Sequence, residues 1–321
     1  MKVFLAESYD GPEKMKYKEV ADPTIQENNI LIKVKYSGVG LVDVLFSRGF
    51  GNLSLPIIPG LEVSGIVDGI GKNVKNFKVG DRVAALTINS LKGFSQYVSI
   101  HQDYVIKVPE NVELETAAGT LTNTATALVL LKEFTPISID SHVLVYGATG
   151  GLGSQVGQLA KLLGAENIVG VVGNKEKQEK AYDLGYDEVF LKDYFFNSTP
   201  SEAFDIIIDP IGGTQRKKNL ERLNTHGVLA IVGNASQEQH TDINPDYLWL
   251  KNLTITGFNF GQYTAQNTKK VNKYLNWAIQ LIANNQIYLP TLHKEQIINA
   301  SQALLDLELG KINGKLILEH E

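Results

Sequence analysis

The chain has 321 residues, about two domains at ordinary domain sizes, with 43% hydrophobic and 20% charged residues, a composition that builds cores and excludes wholesale disorder. Its 30 Lys and Arg against 35 Asp and Glu leave a formal charge of −5, which excludes a general attraction to nucleic acid or acidic membrane. There is no cysteine, so disulfides, thiolate zinc sites, cysteine nucleophiles and iron–sulfur ligation are excluded together, and six histidines are the only soft metal ligands left.

No window approaches the roughly 18 apolar residues of a membrane span, and the run Met1 to Glu7 turns polar too early for a signal peptide. The expected setting is cytoplasmic. Residues 1 to about 110 read as short strands and turns. Ile30, Ile32, Val34 and Tyr36 alternate with Leu31, Lys33 and Lys35, the period of a half-buried strand. Val63 to Val67, Arg82 to Ala85, Phe94 to Ile100 and Val105 to Val108 follow, separated by Gly, Pro, Asn and Asp clusters. This spacing predicts a small antiparallel barrel.

Glu115 to Phe134, rich in Ala, Thr and Leu, reads as helix. From His142 the rhythm becomes strand, helix, strand: Val143 to Tyr146, Ser154 to Leu163, Ile168 to Val172, then Lys175 to Leu184 with Gly185 as its stop. Further apolar runs lie at Glu188 to Leu191, Phe204 to Ile208, Gly227 to Val232 and Leu253 to Thr256. Apolar runs mostly separated by helices predict a doubly wound parallel sheet, an α/β fold. In the tail, Val271, Tyr274, Leu275, Ala278 and Ile282 share one helical face, as do Ile297, Ala300, Leu304 and Leu305. Lys315 to Leu318 then reads as a strand added to the first domain.

Ala148-Thr149-Gly150-Gly151-Leu152-Gly153 lies between a predicted strand and a predicted helix and matches the dinucleotide fingerprint, with Ala at its first position and Gly147 just before. Such a turn must bring backbone N–H groups up to a pyrophosphate at a helix N-terminus, where side chains would obstruct the approach. About 20 residues on, sheets that bind NAD usually place an acid for the ribose hydroxyls. This chain has Gly173-Asn174-Lys175-Glu176-Lys177 there. Lysines in a first helical turn oppose the helix dipole unless an anion compensates. A solvated face is the other reading, since Lys175/Glu179 and Glu176/Lys180 have i,i+4 spacing. Lys192, just past the third strand, can reach the same edge. NADPH is therefore expected over NADH.

Further segments complete a pattern: Ser37-Gly38-Val39-Gly40-Leu41-Val42-Asp43 with Arg48-Gly49, Pro59 to Gly65, Val79 to Val83, Asp209-Pro210-Ile211-Gly212-Gly213, and Gly227 to Ser236. With the glycine turn they span nearly the whole chain and resemble the medium-chain dehydrogenase/reductase superfamily, specifically its zinc-independent quinone oxidoreductase branch, which includes the zeta-crystallins. The resemblance implies a GroES-like β-barrel catalytic domain built from residues 1–120 and 258–321, with a Rossmann domain inserted over 121–257. It implies cofactor contacts at Thr126 near the nicotinamide and at Thr149, Gly150, Gly151, Leu152 and Gly153 on the pyrophosphate. Gly173, Asn174, Lys177 and Lys192 would surround the 2′-phosphate, and Gly233, Asn234, Ala235 and Ser236 would line the crevice. The last group also stands where ligands lie in such sheets, beyond the carboxyl ends of the strands.

Zinc members of the superfamily read Gly-His-Glu where this chain has Gly60-Leu61-Glu62, and the histidines here, His101 among them, are dispersed without ligand spacing. No metal is expected. The family often has Asn at the position of Gly40, and a Tyr after Arg-x-Gly where Phe50-Gly51-Asn52-Leu53 stands here, so a less polar pocket is expected. Asp43 and Arg48 are the catalytic candidates, with helix capping or a mutual ion pair as the alternative for Asp43. The expected chemistry is hydride transfer to a quinone or α,β-unsaturated carbonyl, with water supplying the proton. A non-catalytic NADPH-binding regulatory or structural protein is the alternative from another class. The resemblance also implies a homodimer through the Rossmann edge strand, Leu253 to Phe258.

Overall fold

The structure is a computed structural model and describes residues 1–238, 242–289, 291–312 and 314–321. The chain divides into two compact units, Met1–Ala125 with Thr264–Glu321, and Thr126–Tyr263.

In the first unit β1 (Lys2–Leu5) and β2 (Lys16–Glu19) form a small antiparallel pair. The main sheet begins with β3 (Asn29–Val39), followed by helix α1 (Leu41–Ser47) and by β4 (Glu62–Ile70), β5 (Arg82–Leu86), β6 (Tyr97–His101) and β7 (Val105–Lys107). The alternation in β3 is real: Ile30, Ile32 and Val34 are fully buried against Val63, Val67, Val83 and Val98. Phe94 precedes its predicted strand instead of opening it. It is buried, and its backbone bonds to Phe4 and Pro59. Helix α2 (Leu114–Val129) carries the chain out of this unit. It ends five residues before the predicted Phe134, in a π-helical turn over Leu130–Phe134.

The second unit is the doubly wound sheet. Its elements in order are β8 (His142–Tyr146), α3 (Gly151–Leu162), β9 (Asn167–Val172), α4 (Lys175–Tyr182), β10 (Glu188–Leu191), α5 (Lys192–Ser198), β11 (Phe204–Asp209), α6 (Gln215–Leu220), β12 (Leu223–Ile231), α7 (Pro245–Lys251), β13 (Thr254–Gly257) and α8 (Phe260–Gln266). All six strands are parallel in the order β10-β9-β8-β11-β12-β13. The order in which strands are added therefore reverses between β8 and β11, and β13 is an edge. Helix α5 was not legible as a helix. It is held by Phe195, fully buried among Tyr146, Phe190, Phe196 and Phe204 with ring centroids 5.1–6.2 Å away. Burying such a ring contributes about 1.5–3 kcal/mol, which docks α5 on the sheet.

The chain then returns to the first unit through α9 (Thr268–Ala283), β14 (Leu292–Gln296), α10 (Ala300–Glu308) and β15 (Lys315–Glu319). The predicted final strand joins the first sheet: β15 pairs antiparallel with β3, Leu316 opposite Val39. Val271, Leu275, Ala278 and Ile282 form the buried face of α9, and Ala300 and Leu304 that of α10. Among the described residues no helix is long and apolar enough to cross a membrane.

Candidate functional site

Strand register collects the glycine turn and the lysines at one edge. Tyr146 of β8 pairs with Val171 of β9, Val172 with Leu191 of β10, and Asp209 of β11 with Ile231 of β12. Every sequence-predicted cofactor residue except Thr126 lies in the loop or the first helical turn that follows one of these carboxyl ends. Thr126 is half-buried on α2.

The turn is built as a dinucleotide turn must be. Gly147 has φ +66° and its carbonyl accepts from Gly150 N at 2.9 Å. Helix α3 starts at Gly151, earlier than the predicted Ser154, because Gly150 is extended and Ser154 N closes the first helical bond on Gly150 O at 2.9 Å. Gly151, Leu152 and Gly153 are thus the first helical residues, whose N–H groups have no acceptor within the helix. A Cβ on Gly153 would drive into the Gly147 carbonyl oxygen. The buried Tyr186 hydroxyl donates to Gly153 O at 2.7 Å and fixes the turn from beneath.

At the end of β9, Gly173 is exposed, with nothing within 4 Å of a Cβ built on it. Asn174 caps α4, its Oδ1 accepting from Lys177 N at 2.9 Å, so its side chain shapes the helix start. Of the two i,i+4 pairs, Glu176–Lys180 forms at 2.8 Å. Lys177 and Lys192 form no ion pair among the described residues, and the Val172–Leu191 register brings Lys192 beside Gly173. An open glycine, three helical N–H groups and two uncommitted ammonium groups at one edge fit a dinucleotide bearing an extra phosphate.

Past β11 and β12 the loops are laced together. Ala235 N donates to Pro210 O at 3.1 Å and Ser236 N to Ile211 O at 2.9 Å. Asn234 and Ser236 make side-chain bonds within their own loop, Asn234 Nδ2 to Glu238 O at 3.3 Å and Ser236 Oγ to Asn234 Oδ1 at 3.4 Å. Sequence reasoning missed Asp209 and Arg216 as members of this edge. The available signal was a carboxylate closing the apolar run Ile206 to Ile208.

In the first unit, Asp43 is fully buried and does not face Arg48. Its Oδ2 accepts from Gly40 N and its Oδ1 from Gly60 N, both at 2.8 Å, so it caps α1 and ties it to the Gly60 loop. Burial pushes its carboxyl up to about 6, against the pull of those two N–H groups. Arg48 instead forks onto Glu308 at 2.6 and 2.8 Å and reaches Glu13 at 3.3 Å. Buried Leu61 offers no metal donor, and Glu62 is committed to Lys315 Nζ and Thr122 N, each at 2.7 Å. With no cysteine in the chain, this donor set does not fit a catalytic zinc.

Because Asp43 holds its proton more tightly folded than unfolded, its contribution to stability is full below pH 3.8 and lost as pH rises through about 6. The unfolding free energy of the wild type, less that of Asp43→Asn, is expected to fall by about 3 kcal/mol across that window. Urea titrations at a series of pH values measure this. His320 works oppositely: burial pushes its imidazole down to about 3, so stability present above pH 6.5 is lost as pH falls. A flat difference for His320→Gln between pH 6.5 and 4 would contradict that assignment.

A β-rich unit interrupted by a doubly wound parallel sheet with a glycine turn at its carboxyl edge is the architecture of a two-domain dehydrogenase. Residues 26–110 match the alcohol dehydrogenase GroES-like domain and residues 151–280 the zinc-binding dehydrogenase domain. The chain is 29% identical to a quinone oxidoreductase of Sus scrofa over 320 residues, 97% of this chain and 95% of the relative. It is 25% identical to the synaptic vesicle membrane protein VAT-1 homolog of Danio rerio, covering 98% of this chain and 69% of that one. The crystal structure of Escherichia coli quinone oxidoreductase complexed with NADPH superposes with a TM-score of 0.90 at 26% identity, covering 99% of this chain and 100% of that one. The chain belongs to the medium-chain dehydrogenase/reductase superfamily, in its quinone oxidoreductase-like branch, and is an oxidoreductase.

Proposed function

We propose that the protein is a zinc-independent NADPH-dependent reductase that delivers hydride to quinones or α,β-unsaturated carbonyls. The observation that carries this reading is the edge just described: a glycine turn, an open Gly173, and Lys177 and Lys192, unpaired among the described residues, beyond the carboxyl ends of β8, β9 and β10. When bound, the cofactor supplies the hydride. The protein binds and orients it. Gly151, Leu152 and Gly153 hold the pyrophosphate with backbone N–H groups, Thr149 and Gly150 shape the turn, and Lys177 and Lys192 hold the 2′-phosphate. Gly233 to Ser236 line the crevice, and Thr126 takes the nicotinamide side. Residues 1–120 and 258–321 serve as the catalytic domain and residues 121–257 as the cofactor domain. Asp43 and Arg48 shape the catalytic domain, since both are spent on its own contacts.

An acceptor already activated by conjugation needs no Lewis acid for hydride addition, and water supplies the proton. The relative of Sus scrofa and the Escherichia coli structure, both quinone oxidoreductases, support this acceptor class. Charge-assisted contacts contribute about 1.5–3 kcal/mol each, less when exposed. Since 1.4 kcal/mol is about tenfold, Lys177→Ala and Lys192→Ala are each expected to weaken NADPH about tenfold while leaving NADH unchanged. Fluorescence titration with both cofactors measures this; equal wild-type affinity for the two contradicts the assignment. Binding of NADPH without turnover on any acceptor would instead favour a regulatory or structural role.

The same reading includes a homodimer through the edge strand β13, whose Ile255 is half-exposed. An apolar free edge needs cover. Light scattering on the purified chain tests it, a monomer being the contrary result. A cytoplasmic location goes with an intracellular reductant such as NADPH.

A further inference from the structure

The order in which strands are added reverses between β8 and β11, so β8 to β10 form one mononucleotide half and β11 to β13 the other. The glycine turn and the two lysines belong to the first half. The second half then faces the other nucleotide, the one carrying the nicotinamide. Two backbone bonds join its loops, Ala235 N to Pro210 O and Ser236 N to Ile211 O, and one guanidinium adds a side-chain clamp across the strand ends.

Asp209, at the end of β11, is fully buried. Its Oδ1 accepts from Ile211 N at 2.9 Å and Gly212 N at 2.8 Å, and its Oδ2 accepts from Arg216 Nε at 3.0 Å. The same guanidinium donates through Nη2 to the carbonyl oxygen of Gly233, beyond the end of β12. One planar group therefore spans the ends of two neighbouring strands. Gly212 and Gly213 turn the first of these loops sharply, with φ of +81° and +83°, a backbone conformation that favours glycine. Arg216 is itself largely enclosed, with its side chain 14% exposed. A basic helix face turned to solvent would leave such a group free. Here it is consumed in setting where Gly233 to Ser236 lie.

We infer that Arg216 is a positioning residue for the nicotinamide half of the crevice, acting through Asp209 and Gly233. This rests on the cofactor reading above. A lysine at this position can pair with Asp209 as a point charge but lacks the planar fork that holds both partners. Arg216→Lys therefore keeps the buried charge balanced while removing the clamp on Gly233 O and leaving the backbone bonds between the loops in place.

The test titrates the full-length chain with NADPH and with 2′,5′-ADP, which carries the adenine half and its phosphate alone. Arg216→Lys is expected to raise the Kd for NADPH about tenfold and to leave 2′,5′-ADP within about twofold. A second variant, Asp209→Asn with Arg216→Gln, removes both charges together so that neither is stranded, and should show the same split. Unchanged NADPH affinity in a folded Arg216→Lys protein overturns the inference. So does an equal loss for both ligands, which marks a purely structural role. Failure of the wild type to bind either ligand fails the cofactor reading itself and the inference with it.

Discussion

Lys315→Met is expected to be among the most damaging single substitutions in this protein, costing about 3–5 kcal/mol. Lys315 and Glu62 are 5% and 1% exposed, and their 2.7 Å ion pair lies between the final strand β15 and strand β4. Removing the ammonium leaves a carboxylate in the interior with, among the described residues, the Thr122 N–H to satisfy it. At about 2–4 °C per kcal/mol for a unit of this size, the melting temperature should fall by roughly 10 °C. The double substitution Glu62→Gln with Lys315→Met should recover most of the loss, because removing both charges together leaves neither one stranded. Lys2→Met, which breaks the exposed pair with Glu321, should change little. Thermal melts of the four proteins decide the matter; equal stability for Lys315→Met and Lys2→Met would contradict the account.

Gly153→Val has the largest effect expected on ligand binding. Its Cβ would collide with the Gly147 carbonyl oxygen, which is backbone and cannot rotate away. Either the turn opens or α3 shifts, and the N–H groups of Gly151 and Leu152 move with it. Overpacking of this kind costs about 1–3 kcal/mol or more, which corresponds to roughly 10- to 100-fold weaker NADPH binding if the strain falls on the turn. Gly173→Ala is the informative contrast. It meets nothing in the free protein, so its melting temperature should not change. Weaker NADPH binding by Gly173→Ala would therefore report close approach of the ligand itself.

These sites differ in how legible they are from sequence. The sheet of the second unit is written in runs such as Val143 to Tyr146 and Ile206 to Ile208, which are buried on both faces and so uniformly apolar. The glycine turn is legible because Gly147 takes φ +66° and Gly153 has no room for a Cβ. Strand β14, Leu-His-Lys-Glu-Gln, gives no such signal: it is the edge strand beside β15, and its last three residues are exposed. Arg216 sits in the polar run Gln215-Arg216-Lys217-Lys218, which looks like a solvated helix face. Only the fold reveals that it closes on Asp209. Asp43 and Arg48 lie five residues apart and look like partners, but α1 points one at the Gly60 loop and the other at Glu308. Spacing along a chain identifies elements well. It identifies the partners of buried charges poorly, because those come from distant segments, as Glu62 and Lys315 do.

The most direct test of the proposed function is NADPH oxidation by the purified, chelator-treated protein against a panel of quinones, alkenals and enones. The account predicts turnover with at least one conjugated acceptor, faster with NADPH than with NADH and unchanged by added zinc. No oxidation with any member of the panel, or turnover that appears only when zinc is restored, would contradict it.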